Sequence, residues 1–202
     1  LSAYIRMLRS QGKSIWLAQR EGRAKDSNDL TQASVLHMLT LSDDDFFENV
    51  KALNICPVSI TYEFDPCDYL KAAEMQLKRD NPKWRKSKRD DVKSMQTGIR
   101  GEKGRVVYRL TPSINPEIEA LLANEPEWRT APIHDQLQRV CDIIDRHIHQ
   151  GYEIFDRGTE FDAYIESRLA MIDIPNKDEA FLRDKLYEMY NNPVINYKKA
   201  YE

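Results

Sequence analysis

Three short apolar segments rich in β-branched and aromatic residues limit the folds open to this chain of 202 residues. They cover residues 14–19, 54–64 and 105–110, and apolar residues at helical spacing fill most of the sequence between and after them. Short β-prone runs are typical of strands, and a long helical connection is what a parallel crossover requires. The pattern therefore predicts an α/β fold: a mixed sheet covered by helices within residues 1–112, followed by a mostly helical extension over residues 113–202.

The composition is that of a globular protein, with 31% charged and 41% hydrophobic residues. No stretch approaches the roughly 18 apolar residues that a membrane-spanning helix needs. The three cysteines show no C-x-x-C spacing, which indicates reduced thiols in a cytoplasmic compartment. The histidines and cysteines do not have the spacing of metal ligands, and the sequence contains no P-loop and no dinucleotide-binding glycine motif, so we expect neither a metal nor a bound cofactor.

Positive charge is concentrated in one region. Residues 78–105 contain 11 lysines and arginines against 4 acidic residues, although the whole chain has a net charge of −3. Three interpretations remain open: a solvated basic loop, a patch that binds anionic membranes, and a nucleic-acid site. Nucleic acid is the least favoured partner, because the rest of the chain is acidic and contains no recognised nucleic-acid module. The densest part places one aromatic residue among five cations: Lys83, Trp84, Arg85, Lys86, Lys88 and Arg89.

A charged loop follows the first predicted strand. Arg20, Arg23 and Lys25 are cations suited to a phosphate group, and Gly22 would let the backbone approach a ligand closely. Glu21 could accept hydrogen bonds from substrate hydroxyls or fix one of the arginines. Ligands of α/β sheets collect beyond the carboxyl ends of the strands, which favours a binding site here. Composition alone favours a solvated charged turn.

Two stretches resemble the glycerolipid acyltransferase family, the lysophosphatidic acid acyltransferases and their relatives, in a bacterial variant. They are Ile-Trp-Leu-Ala-Gln-Arg-Glu-Gly-Arg at residues 15–23 and Asn-Ile-Cys-Pro-Val-Ser-Ile at residues 54–60. In that family a buried strand leads into a Phe-Pro-Glu-Gly-Thr-Arg-like motif that binds glycerol phosphate, and a Val-Pro-Val-like strand follows. Glu21 and Gly22 match the Glu-Gly pair of the motif, and Pro57 matches the proline of the later strand.

The resemblance implies that the chain is part of an acyltransferase. Such an enzyme moves a fatty acyl group from a thioester, either acyl-CoA or acyl carrier protein, to a hydroxyl of a lysophospholipid or a glycerol-phosphate-like acceptor. By position, Glu21, Gly22 and Arg23 would bind the polar head of the acceptor, with Arg20 and Lys25 as auxiliary cations. Arg23 falls one place before the arginine usual in the family, so either Arg23 or Lys25 is expected to contact the phosphate.

The catalytic His-x4-Asp pair of the family does not occur in this sequence. In the family its histidine deprotonates the acceptor hydroxyl, and the pair precedes the Glu-Gly motif. We therefore expect the pair upstream of Leu1 and this chain to be a C-terminal piece without catalytic residues. Because both substrates are amphiphiles, the resemblance implies a peripheral location on the inner face of the membrane. The alternative is a non-catalytic adaptor that binds an anionic membrane or RNA through residues 78–105.

Overall fold

The computed structural model describes residues 2–20, 24–41 and 45–202, and this part of the chain is mostly helical. The sequence predicts a mixed sheet, and this prediction is wrong, because the described strands form a single two-stranded antiparallel sheet. The described elements are α1 (Ser2–Ser10), α2 (Ala33–Thr40), α3 (Phe46–Leu53), β1 (Val58–Tyr62), α4 (Asp68–Asp80), α5 (Lys88–Arg100), β2 (Val106–Leu110), α6 (Asn115–Asn124), a 3-10 helix (Pro126–Thr130), α7 (Ile133–Gln150), α8 (Phe161–Ala170) and α9 (Glu179–Lys199).

The first predicted strand accounts for the failure of the fold prediction. Residues 14–19 have no regular secondary structure, and Trp16 is 69% exposed although it lies in one of the apolar runs that predict strands. A strand needs a neighbour that satisfies its backbone groups, and the described strands β1 and β2 pair with each other. Residues 14–19 pair with neither of these strands, so their apolar side chains are not buried in a sheet.

Of the other two strand predictions, the one at residues 54–64 is confirmed in part and the one at residues 105–110 is confirmed. The predicted strand at residues 54–64 is reduced to β1, because Asn54 caps α3 in the left-handed conformation and Pro57 has no N–H to donate to a ladder. The prediction at residues 105–110 agrees with β2. Two backbone hydrogen bonds, from the N–H groups of Glu63 and Phe64, extend the antiparallel pairing beyond β1.

The chain divides into two compact units. The first comprises Leu1–Arg23, Asp29–Ser59 and Arg109–Gly151. In it, α7 packs against α2, and α3 packs against α6. α7 buries an apolar row at spacings of three and four residues, as an amphipathic helix does. The row consists of Leu137, Val140, Cys141, Ile144 and Ile148.

The second unit comprises Ala24–Asn28, Ile60–Tyr108 and Tyr152–Glu202. Its core lies between α4, α8 and α9, which contact one another pairwise. The buried residues of that core are Ala72, Ile165, Leu169, Ile172, Leu182, Leu186, Met189 and Tyr190. Helix α5 belongs to this unit but contributes no buried residue. The sequence predicts an acyltransferase-like domain over residues 1–112 and a helical extension over residues 113–202. The two units do not identify an acyltransferase-like part, so this division stays a prediction.

Candidate functional site

The centre of the motif identified in the sequence lies outside the described residues. Glu21, Gly22 and Arg23 are the three positions concerned, and only their sequence neighbours can be placed. On the N-terminal side, the Arg20 guanidinium lies 3.9 Å from the Asp29 carboxylate. The Nε atom of Arg20 is buried and has no hydrogen-bond partner among the described residues. The Arg20 side chain as a whole is 27% exposed, so part of it is open to solvent although Nε is not.

Lys25 is held inside the second unit. Its ammonium lies 2.7 Å from the Glu74 carboxylate on α4, which Lys78 also approaches at 3.3 Å. Burial by itself would raise the pKa of Glu74, but the hydrogen bonds and charges of Lys25 and Lys78 outweigh burial and lower it. Glu74 is therefore held as a carboxylate, and the charge of Lys25 is used within the fold.

Helix α9 fixes the segment that follows Lys25. Asn192 donates to the Asp26 carbonyl at 2.8 Å, and Asn196 donates to the Asn28 side chain at 3.0 Å. The apolar residues at helical spacing in this region end at Met189, whereas α9 continues through Pro193 and so includes both asparagines. Their spacing of four residues, which puts them on one helical face, was the available signal. The C-terminal part of the loop is thus anchored to the second unit.

Pro57 has a structural environment in the first unit. It is buried, and its carbonyl accepts hydrogen bonds from the backbone N–H and the hydroxyl of Thr111, each at 2.9 Å. These contacts fix the entry to β1. Contact between Pro57 and a substrate stays a prediction.

The basic segment separates into paired and unpaired cations. Lys86 lies 3.3 Å from Asp91 and 3.9 Å from Glu74, and Arg85 donates to two backbone carbonyls of its own loop. Lys83, Lys88 and Arg89 form no ion pair within the part of the chain that the structure describes. Trp84 is half-buried beside them. The unpaired charge therefore lies at the start of the loop and on α5.

The sequence gives no indication of a buried polar cluster in the second unit. The Asp68 carboxylate is fully buried and accepts hydrogen bonds from the hydroxyls of Tyr190 at 2.7 Å and Tyr164 at 2.9 Å. Arg168 donates to it at 2.5 Å. Burial raises the pKa of both phenols well above the ordinary value. With each of its members already hydrogen-bonded, the cluster serves the packing of α4, α8 and α9.

The cysteines and histidines do not form a second site. Cys56 is exposed although it lies in the apolar run at residues 54–64, and burial raises the pKa of the Cys141 thiol to about 12. His147 is hydrogen-bonded to Glu117 at 2.9 Å. Within the described ranges, no three His, Cys, Asp or Glu side chains are grouped as metal ligands.

None of the described helices combines the length and the apolar character needed to cross a bilayer. Comparisons of the chain with models of protein families, with curated proteins and with solved structures give no match.

Proposed function

We propose that this chain is part of an acyltransferase that moves a fatty acyl group from acyl-CoA or acyl carrier protein to a hydroxyl of a lysophospholipid or glycerol-phosphate-like acceptor. The observation that carries the proposal is the position of Arg20, which is partly exposed, has the Asp29 carboxylate no closer than 3.9 Å and is adjacent in sequence to Glu21-Gly22-Arg23. A phosphate oxygen is a suitable acceptor for a guanidinium donor of this kind.

The cations of the loop differ in availability. Lys25 is engaged by Glu74, whereas the nearest carboxylate to Arg20, that of Asp29, lies 3.9 Å away. This difference favours Arg23 and Arg20 for phosphate contact, and it gives Lys25 the role of anchoring the loop. Proton transfer falls outside the proposal, because the sequence contains no His-x4-Asp pair to act as base.

The test measures acyl transfer by the protein as expressed from its gene, with a lysophospholipid acceptor. Glu21→Ala should lose most of the activity, and Arg20→Gln should raise the KM for the acceptor more than it lowers kcat, because Arg20 contributes ground-state binding. Glu160→Ala is the control, since Glu160 is exposed and forms no side-chain hydrogen bond at the start of α8. Turnover near the wild-type level in Glu21→Ala would refute the assignment.

A second candidate function is a non-catalytic adaptor that binds an anionic membrane or RNA through residues 78–105. Lys83, Lys88 and Arg89 favour it, because they form no ion pair with a described residue and remain available to a polyanion. Activity that depends on Glu21 would exclude a purely adaptor role. Either function is compatible with a peripheral position on the inner face of the membrane, which we include in the proposal.

A further inference from the structure

Helix α5 is attached to the second unit through small and polar groups. Its half-buried residues are Ser94, Thr97 and Gly98, and the Ser94 carbonyl accepts a hydrogen bond from the Cys67 thiol at 3.4 Å. Just beyond the helix, Gly101 lies so close to Pro66 that a Cβ atom would be 2.4 Å from the Pro66 Cβ. These contacts fix which face of α5 points toward the unit.

The apolar side chains of α5 point the other way. Val92, Met95 and Ile99 are 52%, 57% and 76% exposed. Their spacing of three and four residues places them on one face of the helix, opposite Ser94 and Thr97. A surface helix of a globular protein normally turns its apolar stripe to the core. In α5 this arrangement is reversed, so the stripe is left open to an external partner.

Cations accompany this stripe. Lys88 and Arg89 lie in the first turn, Lys93 in the middle, and Arg100 in the last turn of α5. None of these four forms an ion pair within the described part of the chain. The acidic residues of the helix are already engaged, Asp90 by the capping box with Ser87 and Asp91 by Lys86 at 3.3 Å.

We propose that α5 is an interfacial helix, which lies in the plane of an anionic membrane with Val92, Met95 and Ile99 inserted and its cations on the lipid headgroups. An exposed apolar stripe with lysines and arginines on the polar side is the pattern of helices that bind at a membrane surface. The surface potential of anionic lipids attracts such cations when they lie within a Debye length.

The pairing of an apolar stripe with unpaired cations favours a membrane over the other possible occupants. Nucleic acid would use the cations but leaves three aliphatic side chains without a role. A second copy of α5 would bring like charges together, since Lys88, Arg89, Lys93 and Arg100 would face the same residues of the partner copy. A depression of about 590 Å³ on α5 is lined by Arg89, Asp90, Val92, Lys93 and Gln96, so it lies beside the apolar stripe among the cations of the helix.

The test measures binding of the complete chain to vesicles of phosphatidylglycerol and of phosphatidylcholine, at low and high salt. The key variant is Met95→Ser/Ile99→Ser, and its matched control is Met171→Ser/Ile195→Ser, which changes the same residue types at exposed positions on the second unit outside α5. We expect the key variant to bind phosphatidylglycerol vesicles about tenfold or more weakly, because the transfer free energy of two apolar side chains is lost. The control should bind as the wild type does.

Insertion is measured with Val92→Trp as the difference from the wild-type spectrum, because the chain already contains three tryptophans. The added fluorescence should shift to shorter wavelength with phosphatidylglycerol vesicles and keep part of that shift at high salt. An equal loss of binding in the two double variants would overturn the proposal. It would also be overturned by a wild-type dimer that Met95→Ser/Ile99→Ser dissociates without weakening vesicle binding, or by RNA binding with no vesicle binding. No turnover is needed, so the result is independent of the acyltransferase proposal.

Discussion

The buried carboxylate of Asp68 allows a stability prediction to be derived from the structure. Asp68→Asn keeps the size of the side chain and one oxygen, but it removes the negative charge that faces Arg168. It also places an NH₂ group where Tyr164, Tyr190 and Arg168 all donate hydrogen bonds. Removing one partner of a buried ion pair costs about 3–5 kcal/mol. Because the asparagine oxygen can still accept one hydrogen bond, we expect a loss of about 3 kcal/mol in the free energy of unfolding, at the lower end of that range.

Smaller perturbations of the same cluster should cost less. Tyr190→Phe leaves the ring packed against Phe161 and removes only the hydroxyl, which donates to Asp68 and accepts from the Asp65 N–H at 3.1 Å. We expect a loss of about 1–2 kcal/mol for that variant. Asp173→Asn is the matched control, because Asp173 is exposed on the same unit, and its effect should stay within about 0.5 kcal/mol.

The assay is urea unfolding followed by far-UV circular dichroism, with amide hydrogen exchange in α8 and α9 to show that the destabilised residues are those around the cluster. If Asp68→Asn costs no more than Asp173→Asn, the carboxylate does not organise the packing of the second unit. A loss confined to α8 and α9 in exchange, and absent from α7, would support the reasoning.

Two further variants probe a steric contact and a buried titratable group. Gly101→Ala should destabilise the chain by about 1–3 kcal/mol in the same urea assay, because its Cβ would lie 2.4 Å from the Pro66 Cβ; an unchanged midpoint would show that this contact relaxes without cost. Burial raises the pKa of Asp145 above its ordinary value, so its contribution to stability is complete below about pH 4, the unfolded-state range, and is lost as the pH rises through the folded-state pKa. Asp145→Asn keeps an oxygen for Thr31 and should remove that decline from a plot of thermal midpoint against pH, whereas the same decline in both proteins would assign it to another group.

Helical periodicity predicts much of the local structure in this chain. The apolar spacing at residues 133–148 indicates α7, and the spacing at residues 160–172 indicates α8, because each helix buries one stripe against its own unit. Such spacing can be read within one segment, without information about which distant residues the helix contacts. Apolar spacing does not indicate the end of α9, because the helix continues through Pro193 and buries the polar residue Asn196.

The fold class could not be predicted from local patterns, because it depends on which strands find partners. Residues 14–19 have the composition of a buried strand, yet Trp16 is largely exposed and no ladder forms there. Similarly, the pairing of Lys25 with Glu74 joins residues that are 49 positions apart, so no motif at residues 20–25 could show that this lysine is already neutralised. The motif itself stays a prediction based on the sequence.

The number of cations in residues 78–105 can be counted from the sequence, but only the structure shows which of them are paired. Lys25, Lys78 and Lys86 each form an ion pair with Glu74, so part of the positive charge before Ser87 is already paired within the fold. The unpaired ones continue onto α5, where the spacing of Val92, Met95 and Ile99 predicts an amphipathic helix but not that its stripe faces outward. Neutralising α5 should therefore weaken binding to an anionic surface more than neutralising an equal number of the cations paired with Glu74.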